Sequence, residues 1–262
     1  MNVAILARYP RVDTAQWKQD LAARIVDGGS RLTVVYTRSS LREQLRAGLG
    51  EFGLGVVSRY RRARATPETG EDARTLSSWA AEHGIEVLRF GSVADPELSV
   101  TLAKQRIDVL VLAGADIAPA QVLAKPQIGA LNAHFGLLPR YRGMNVAEWS
   151  VFHDDPVGVS VHFVDPGIDT GDIVSMRPVR VDMGDTLDTI RQKQRAEAVA
   201  LLSDAIVAVE TGRINRTPQL LDAGRQFYRM HPALRAYVEA KLTSGRYAWL
   251  GRGAEAARLE DA

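Results

Sequence analysis

Residues 2–37, NVAILARYPRVDTAQWKQDLAARIVDGGSRLTVVYT, read as strand, helix, strand. NVAILA (2–7) is a continuous apolar run of strand length, the pattern of a strand covered on both faces. From 14 to 27 the spacing changes. Trp17, Leu21, Ala22 and Ile25 recur at helical intervals, Asp13 or Thr14 stands where a cap is wanted, and the Gly-Gly-Ser at 28–30 ends the run. RLTVVYT (31–37) is the second strand. Two strands joined through a helix begin a parallel α/β sheet.

The same alternation continues along the chain. Helices are predicted over 40–50, 70–83, 96–107 and 117–125, and strands over 85–90, 108–114 and 128–134. DVLVLAG (108–114) is the most strand-like run of all. Beyond it follow a helix over 144–153, strands over 158–165 and 172–181, and a long helix over 185–210. Pro178 favours an edge position for the second of these strands. The fold class is therefore α/β: a Rossmann-like, mostly parallel sheet with helices on both faces. Residues 1–212 form this domain and residues 213–262 a short C-terminal appendage, too short to be independent. The appendage carries a predicted helix from Pro232 to Leu242, and Tyr228, Tyr237, Tyr247 and Trp249 are expected to pack there as a small core.

Composition narrows the chemistry. With no cysteine in the 262 residues, disulfides, thiolate catalysis and cysteine-ligated metals are excluded. His134, His162 and the nearby Asp residues lack compact ligand spacing, so no metal is expected. The opening MNVAILARYPRVDTAQW has too short an apolar run for a signal peptide, and no stretch reaches membrane-spanning length. A cytoplasmic protein without a membrane partner is expected. The net charge is only +2 and no nucleic-acid motif is present, so no nucleic-acid partner is expected either. One basic cluster, RYRRARA (59–65), reads as a solvated loop, with an anion site as the alternative. No G-x-G-x-x-G follows the first strand, and the Gly-rich GLGEFGLG (48–55) has no strand opening into it and no Lys to complete a P-loop, so it reads as a loop; both argue against a dinucleotide or P-loop site.

The chemistry gathers around NAHFGLLPRYRG (132–143). Asn132 and His134 close a buried strand, and side chains two apart on a strand face the same way. Ligands of open parallel sheets collect beyond the carboxyl ends of the strands. A second strand end leads into VDPGIDTGD (164–172), from which Asp165, Asp169 or Asp172 can reach the same crevice. Asn, His and Asp together can stabilise a developing negative charge and move a proton. A satisfied turn uses the same residues, and His162, inside GVSVHFVD, reads as a hydrogen-bonded core residue.

Taken in order, NAHFGLLPRYRG, Trp149 and GVSVHFVDPGIDTGDI resemble the folate-dependent formyltransferase family. That family includes glycinamide ribonucleotide, methionyl-tRNA and sugar-nucleotide N-formyltransferases. The resemblance is strongest from Asp108 to Val174. It implies that Asn132, His134 and Asp169 are the catalytic trio, which selects Asp169 over Asp165 and Asp172. It further implies 10-formyltetrahydrofolate as co-substrate, its pterin held by Leu112, Ala113, Gly114, Ala115 and Ile117 and by Val164, Asp165 and Ile168. Protonated His134 and the Asn132 carboxamide are then expected to donate to the formyl oxygen. Asp169 is expected to raise the histidine pKa.

Departures from the family guide the acceptor. Where many relatives have His-Pro-Ser-Leu-Leu-Pro, this chain has His134-Phe135-Gly136-Leu137-Leu138-Pro139. Residues 7–11 lack the glycine-rich phosphate loop of the ribonucleotide enzymes. The tail also looks short for the barrel of the tRNA enzymes. A small-molecule amine is favoured, foremost an amino-sugar nucleotide, with hydroxyornithine or glycinamide ribonucleotide as alternatives. Phe135, Arg140, Tyr141, Arg142 and Asn145 are the expected acceptor contacts. A folate-binding module without catalysis is the competing class. An apolar, aromatic tail can serve a homodimer interface as well as a core.

Overall fold

The computed structural model describes residues 1–9, 16–38 and 75–252. The helix expected over 40–50, the basic cluster at 59–65 and the caps at Asp13 and Thr14 lie outside them. The chain forms two compact units, one of Asn2–Val26 with Ser30–Gln127, the other of Ile128–Ala262 with Met1 and Asp27–Gly29.

The first unit contains β1 (Asn2–Tyr9), α1 (Gln16–Asp27), β2 (Arg31–Arg38), α2 (Leu76–Glu82), β3 (Glu86–Phe90), α3 (Pro96–Lys104), β4 (Val109–Leu112) and α4 (Ala120–Leu123). Its strands are all parallel, in the order β3-β2-β1-β4. Val3 to Ala7 are completely buried, which is why the sequence runs apolar there without alternation. α1 turns Leu21, Ala22 and Ile25 inward, the face its spacing predicts. α2 begins with a capping box in which the Thr75 hydroxyl accepts from the Ser78 N–H. α3 is shorter than predicted: Arg106 takes a left-handed backbone (φ 49°) and turns the chain into β4. α4 is a single turn, with Pro119 as its uncapped start.

The second unit contains β5 (Gly129–His134), β6 (Tyr141–Gly143), α5 (Val146–Phe152), β7 (Gly158–Phe163), β8 (Ile173–Pro178), α6 (Leu187–Glu210), β9 (Arg225–Phe227) and α7 (Pro232–Thr243). Here β5, β7 and β8 pair antiparallel. The fold is α/β and Rossmann-like, its strands mostly parallel and flanked by helices, but the reversal is not anticipated by the sequence reading. For β7 and β8 the cause is connection length: residues 164–172 are fewer than the dozen or so that a parallel crossover needs. β8 is an edge strand ending on Pro178, as proline demands. Tyr141–Gly143 forms the short strand β6, paired in parallel with β9.

The C-terminal residues complete a core in this unit. Met230, Val238, Leu242, Tyr247 and Trp249 bury themselves with Val151, Leu187 and Ile190 of α5 and α6. Tyr247 donates its hydroxyl hydrogen to the Asp155 carbonyl (2.6 Å) and Trp249 its indole N–H to that of Asp154 (2.9 Å), so the buried polar atoms of both rings are satisfied. Tyr228 and Tyr237, expected in the same core, are exposed. Among the described residues no helix is long and apolar enough to cross a membrane.

Candidate active site

Antiparallel pairing places Asn132 opposite His162 and His134 opposite Ser160. Directly opposed residues share one face of the sheet, so the four side chains project together. A register shift between β7 and β8 falls at Val161/His162, the kind of irregularity that re-aims side chains. Ser160 fastens the loop that follows His134. Its hydroxyl donates to the Gly136 carbonyl (2.8 Å) and accepts from the Leu138 N–H (3.0 Å).

The loop 164–172 is built to present Asp169. The Asp165 carboxylate accepts from the Gly167 N–H (3.1 Å) and the Thr170 hydroxyl (2.6 Å), closing the turn. Gly171 admits no side chain, since a Cβ there would lie 2.0 Å from the Phe163 carbonyl oxygen. The Gln219 carboxamide donates to the Asp169 and Gly171 carbonyls (3.0 and 2.6 Å). Asp169 itself is held in the left-handed region (φ 54°), a strained conformation for a residue with a Cβ and one that the surrounding bonds must maintain.

The trio assembles there. Asp169 Oδ2 lies 3.4 Å from His134 Nδ1 and accepts the Gly143 N–H at 2.9 Å. His134 donates Nε2–H to the Tyr141 carbonyl (2.7 Å), which fixes the tautomer and leaves Nδ1 toward the carboxylate. Asn132 donates from Nδ2 to His162 Nε2 at 3.2 Å, with its second N–H uncommitted among the described residues. His162 Nε2 is also 3.5 Å from Asp169 Oδ1.

Burial decides the charge state of His134. It lowers the pKa of the ring below the ordinary 6.5, outweighing the raising effects of Asp169 and the Tyr141 carbonyl. The expected rise is therefore corrected: Asp169 is beside the ring, but the ring is too far from water for the carboxylate to prevail. For Asp169, burial pushes upward, yet the neighbouring His162 and His134 rings and the Gly143 N–H together hold its carboxyl below 3.8. Neutral imidazole facing ionised carboxylate is the resting arrangement near pH 7.

A cavity of about 200 Å³ adjoins this group, lined by Asn132, His134, Phe135, Asn145, Glu148 and Gln194 among others. Two of the expected acceptor contacts, Phe135 and Asn145, are on its wall. The other three have partners elsewhere. Arg140 pairs with Asp155 (2.8 Å), the Tyr141 hydroxyl also donates to Asp155, and Arg142 donates to the Leu221 and Gly224 carbonyls (3.1 and 3.3 Å). Burial, then the Asp155 bond, keep the Tyr141 phenol above its ordinary pKa, so it stays protonated. Glu148 and Gln194, which the sequence reading does not single out, are buried on this wall. Glu148 is ion-paired with Arg191, and Gln194 Oε1 has no partner among the described residues.

The remaining expected contacts are described within their own units. In the first, Leu112 ends β4, Ala113 donates its N–H to the Leu6 carbonyl (2.8 Å), Gly114 has φ 74°, Ala115 continues the loop, and Ile117 is exposed. This is the carboxyl end of a parallel strand. In the second, Val164 donates to the Ala130 carbonyl (2.8 Å), and Asp165 and Ile168 flank the Gly167 turn. Among the described residues no group of three or more His, Asp or Glu side chains is placed to hold a metal ion.

Comparison with known proteins agrees with this geometry. A family model described as "Formyl transferase" matches residues 53–206. Methionyl-tRNA formyltransferase of Ruminiclostridium cellulolyticum is 30% identical over 149 residues, covering 56% of this chain and 48% of its own. That of Nitrosospira multiformis is 33% identical over 142 residues, covering 53% and 46%. The chain thus spans about half the length of these curated relatives. Among solved structures, glycinamide ribonucleotide transformylase 1 from Symbiobacterium toebii superposes with a TM-score of 0.60 at 21% identity, covering 85% of this chain and 94% of that one. A sugar N-formyltransferase from Shewanella gives 0.58 at 15%, covering 93% and 87%. These structural likenesses speak to the fold. With the family model spanning more than half of its residues, the chain belongs to the formyl transferase family, the folate-dependent N-formyltransferases.

Proposed function

We propose that the protein transfers the formyl group of 10-formyltetrahydrofolate to a primary amine of a small molecule, and that the amine is carried by an amino-sugar nucleotide. The observation that supports transfer is the approach of His134 Nδ1 to Asp169 Oδ2 at 3.4 Å, beside an Asn132 carboxamide with a free N–H. The co-substrate supplies a formyl carbon already activated on nitrogen. That chemistry asks for hydrogen-bond donors and a proton carrier, and the residues present are of those kinds. Val164, Asp165 and Ile168, and likewise Leu112, Ala113, Gly114, Ala115 and Ile117, keep their assignment to the folate as part of the proposal, as does the catalytic reach of residues 1–212.

Roles follow from the geometry. Asn132 donates its uncommitted N–H to the formyl oxygen as negative charge grows there. One such preset donor is worth about 3–4 kcal/mol. His134, neutral at rest, takes at Nδ1 the proton that the attacking amine gives up and returns it to the folate nitrogen as that nitrogen's bond to the formyl carbon breaks. Asp169 stabilises the imidazolium that results. This replaces the expectation that a protonated His134 is the resting donor.

For the acceptor, the supporting observation is Tyr228. It follows β9 directly, and the preceding Phe227 carbonyl accepts the Met144 N–H (3.0 Å), next to the Gly143 that holds Asp169. Its side chain is 70% exposed while its carbonyl is fixed by the Trp149 indole N–H (2.8 Å). An exposed ring on a fixed backbone suits stacking with a nucleobase. The test is tetrahydrofolate release with 10-formyltetrahydrofolate and a panel of amines. Turnover is expected with nucleoside-diphosphate amino sugars and not with hydroxyornithine or glycinamide ribonucleotide. Folate binding without formyl loss across the whole panel would return the protein to the class of folate-binding modules.

A further inference from the structure

We infer that His162 is a positioning residue for the formyl-transfer site: it sets which end of the Asn132 carboxamide faces the reacting group, and it does so through the proton pattern of its own ring. The inference rests on the catalytic trio of the preceding proposal. The residue is 2% exposed and sits in a strand that otherwise reads as core.

The argument begins with Nδ1. It lies 2.7 Å from the Phe163 carbonyl, which can only accept, so Nδ1 carries a hydrogen. In the neutral ring Nε2 is then an acceptor. Facing it are the Asn132 Nδ2 at 3.2 Å and the Asp169 Oδ1 at 3.5 Å. Only the first can supply a hydrogen. The carboxamide is therefore locked with nitrogen toward His162, and one N–H of that nitrogen remains for a ligand. A carboxamide turned by half a revolution would offer oxygen to Nε2, two acceptors face to face. Neutral His162 excludes that arrangement.

Protonation reverses the selection. A hydrogen on Nε2 becomes a donor to Asp169 Oδ1 and faces the Asn132 N–H with like polarity. The carboxamide then gains by turning its oxygen to the ring, which withdraws the donor from the formyl oxygen. Asp169 is at the same time drawn toward His162 and away from His134. The charged and titratable groups facing His162 are Asp169 from the loop 164–172 and His134 from β5, whose ring centre is 6.4 Å away. β8 places Ile173 opposite it, and α6, which also packs on β7, brings the Gln194 carboxamide to the Gly158 carbonyl. The two histidines thus share one carboxylate, and only one of them can carry a proton without weakening the other's hold.

The test compares His162→Gln with His162→Leu. Glutamine keeps an acceptor where Nε2 stands but cannot be protonated; leucine keeps volume and offers no acceptor. His162→Leu is expected to lower kcat on the order of 100-fold, the usual consequence of a misplaced reacting group, with KM for 10-formyltetrahydrofolate little changed. His162→Gln is expected to restore most of kcat. A second readout needs no turnover. In nitrogen-labelled protein, the Asn132 side-chain NH2 signals, identified by their loss in Asn132→Asp, are expected to keep close to their wild-type positions in His162→Gln and to move in His162→Leu. Wild-type turnover in His162→Leu overturns the inference, and so does a folded His162→Gln as slow as the leucine variant. If no amine is turned over by the wild type, the proposed function has failed, and the carboxamide signals alone decide: signals left unmoved by His162→Leu overturn the positioning role.

Discussion

Replacing Asp169 by Asn removes one charge and almost nothing else. The Asn carbonyl oxygen can still accept the Gly143 N–H that Oδ2 accepts at 2.9 Å, and the side chain occupies the same space. What is lost is the attraction between carboxylate and imidazolium. At the observed 3.4 Å and an effective dielectric near 20, that attraction is about 5 kcal/mol. Both side chains are largely sheltered, at 6% and 16% exposure, so solvent screening leaves most of it. His134 is neutral at rest because burial lowers its pKa. The pair therefore gains its charge during the reaction, and the loss belongs to the transition state. Allowing for relaxation around the Asn, about 4 kcal/mol remains, or roughly a 10³-fold fall in kcat. KM for either substrate should hardly move, so kcat and kcat/KM fall together. Initial rates of tetrahydrofolate release over a range of both substrates measure this, with thermal melting to show that the variant is folded. A folded variant within about tenfold of wild type, or one impaired only in KM, would refute the charge role.

Three further outcomes follow from the same geometry. Gly143→Ala places a Cβ 2.2 Å from the Phe227 carbonyl oxygen at a residue with φ 96°, so it should part β6 from β9 and cost at least about 1–3 kcal/mol in a urea titration. Activity should fall further than stability accounts for, because the N–H that holds Asp169 moves with it. Gly136→Ser sets a Cβ 3.0 Å from both His134 Nε2 and the Tyr141 carbonyl oxygen; crowding that bond should cost about 1–3 kcal/mol and slow turnover, measured by melting and initial rates. Stability should also depend on pH through His134. Its folded pKa is below 6.5, so below about pH 6.5 the unfolded chain binds the proton more readily. Stability is then full above that pH and declines as pH falls toward the folded value. The urea midpoint of wild type should drop over this window more than that of His134→Gln, and equal slopes would contradict the buried neutral ring.

The sequence made the first unit legible because parallel strands covered on both faces leave continuous apolar runs. VAIL and VLVL could scarcely be anything else, and Leu21, Ala22 and Ile25 of α1 mark one helical face. The antiparallel turn of β7 and β8 was hidden, since direction depends on how short a connection is, and strand patterning does not record it. β6 and β9 are three residues each and find one another across more than eighty positions, too short for any periodicity and too distant for any local signal. Asn132 and His134 declared themselves by two-residue spacing at a strand end. Ser160 and His162 carry the same spacing on the neighbouring strand, a signal that was present but outweighed by their apolar neighbours. The pKa of His134 could not be read from the residues beside it, because burial is a property of the packed unit. Arg140, Tyr141 and Arg142 illustrate the same point: their chemistry suggests a ligand, while their partners are Asp155 and the Leu221 and Gly224 carbonyls.

The most direct test of the formyl-transfer site is a single-turnover reaction with carbon-labelled 10-formyltetrahydrofolate and a nucleoside-diphosphate amino sugar, followed by mass spectrometry. Wild type should yield acceptor bearing one labelled formyl group for each tetrahydrofolate released, and Asn132→Ala and His134→Ala should form it far more slowly with label left on the folate. Label that leaves the folate as free formate, or that reaches the amine as fast in either variant as in wild type, would contradict a transfer site built on Asn132, His134 and Asp169.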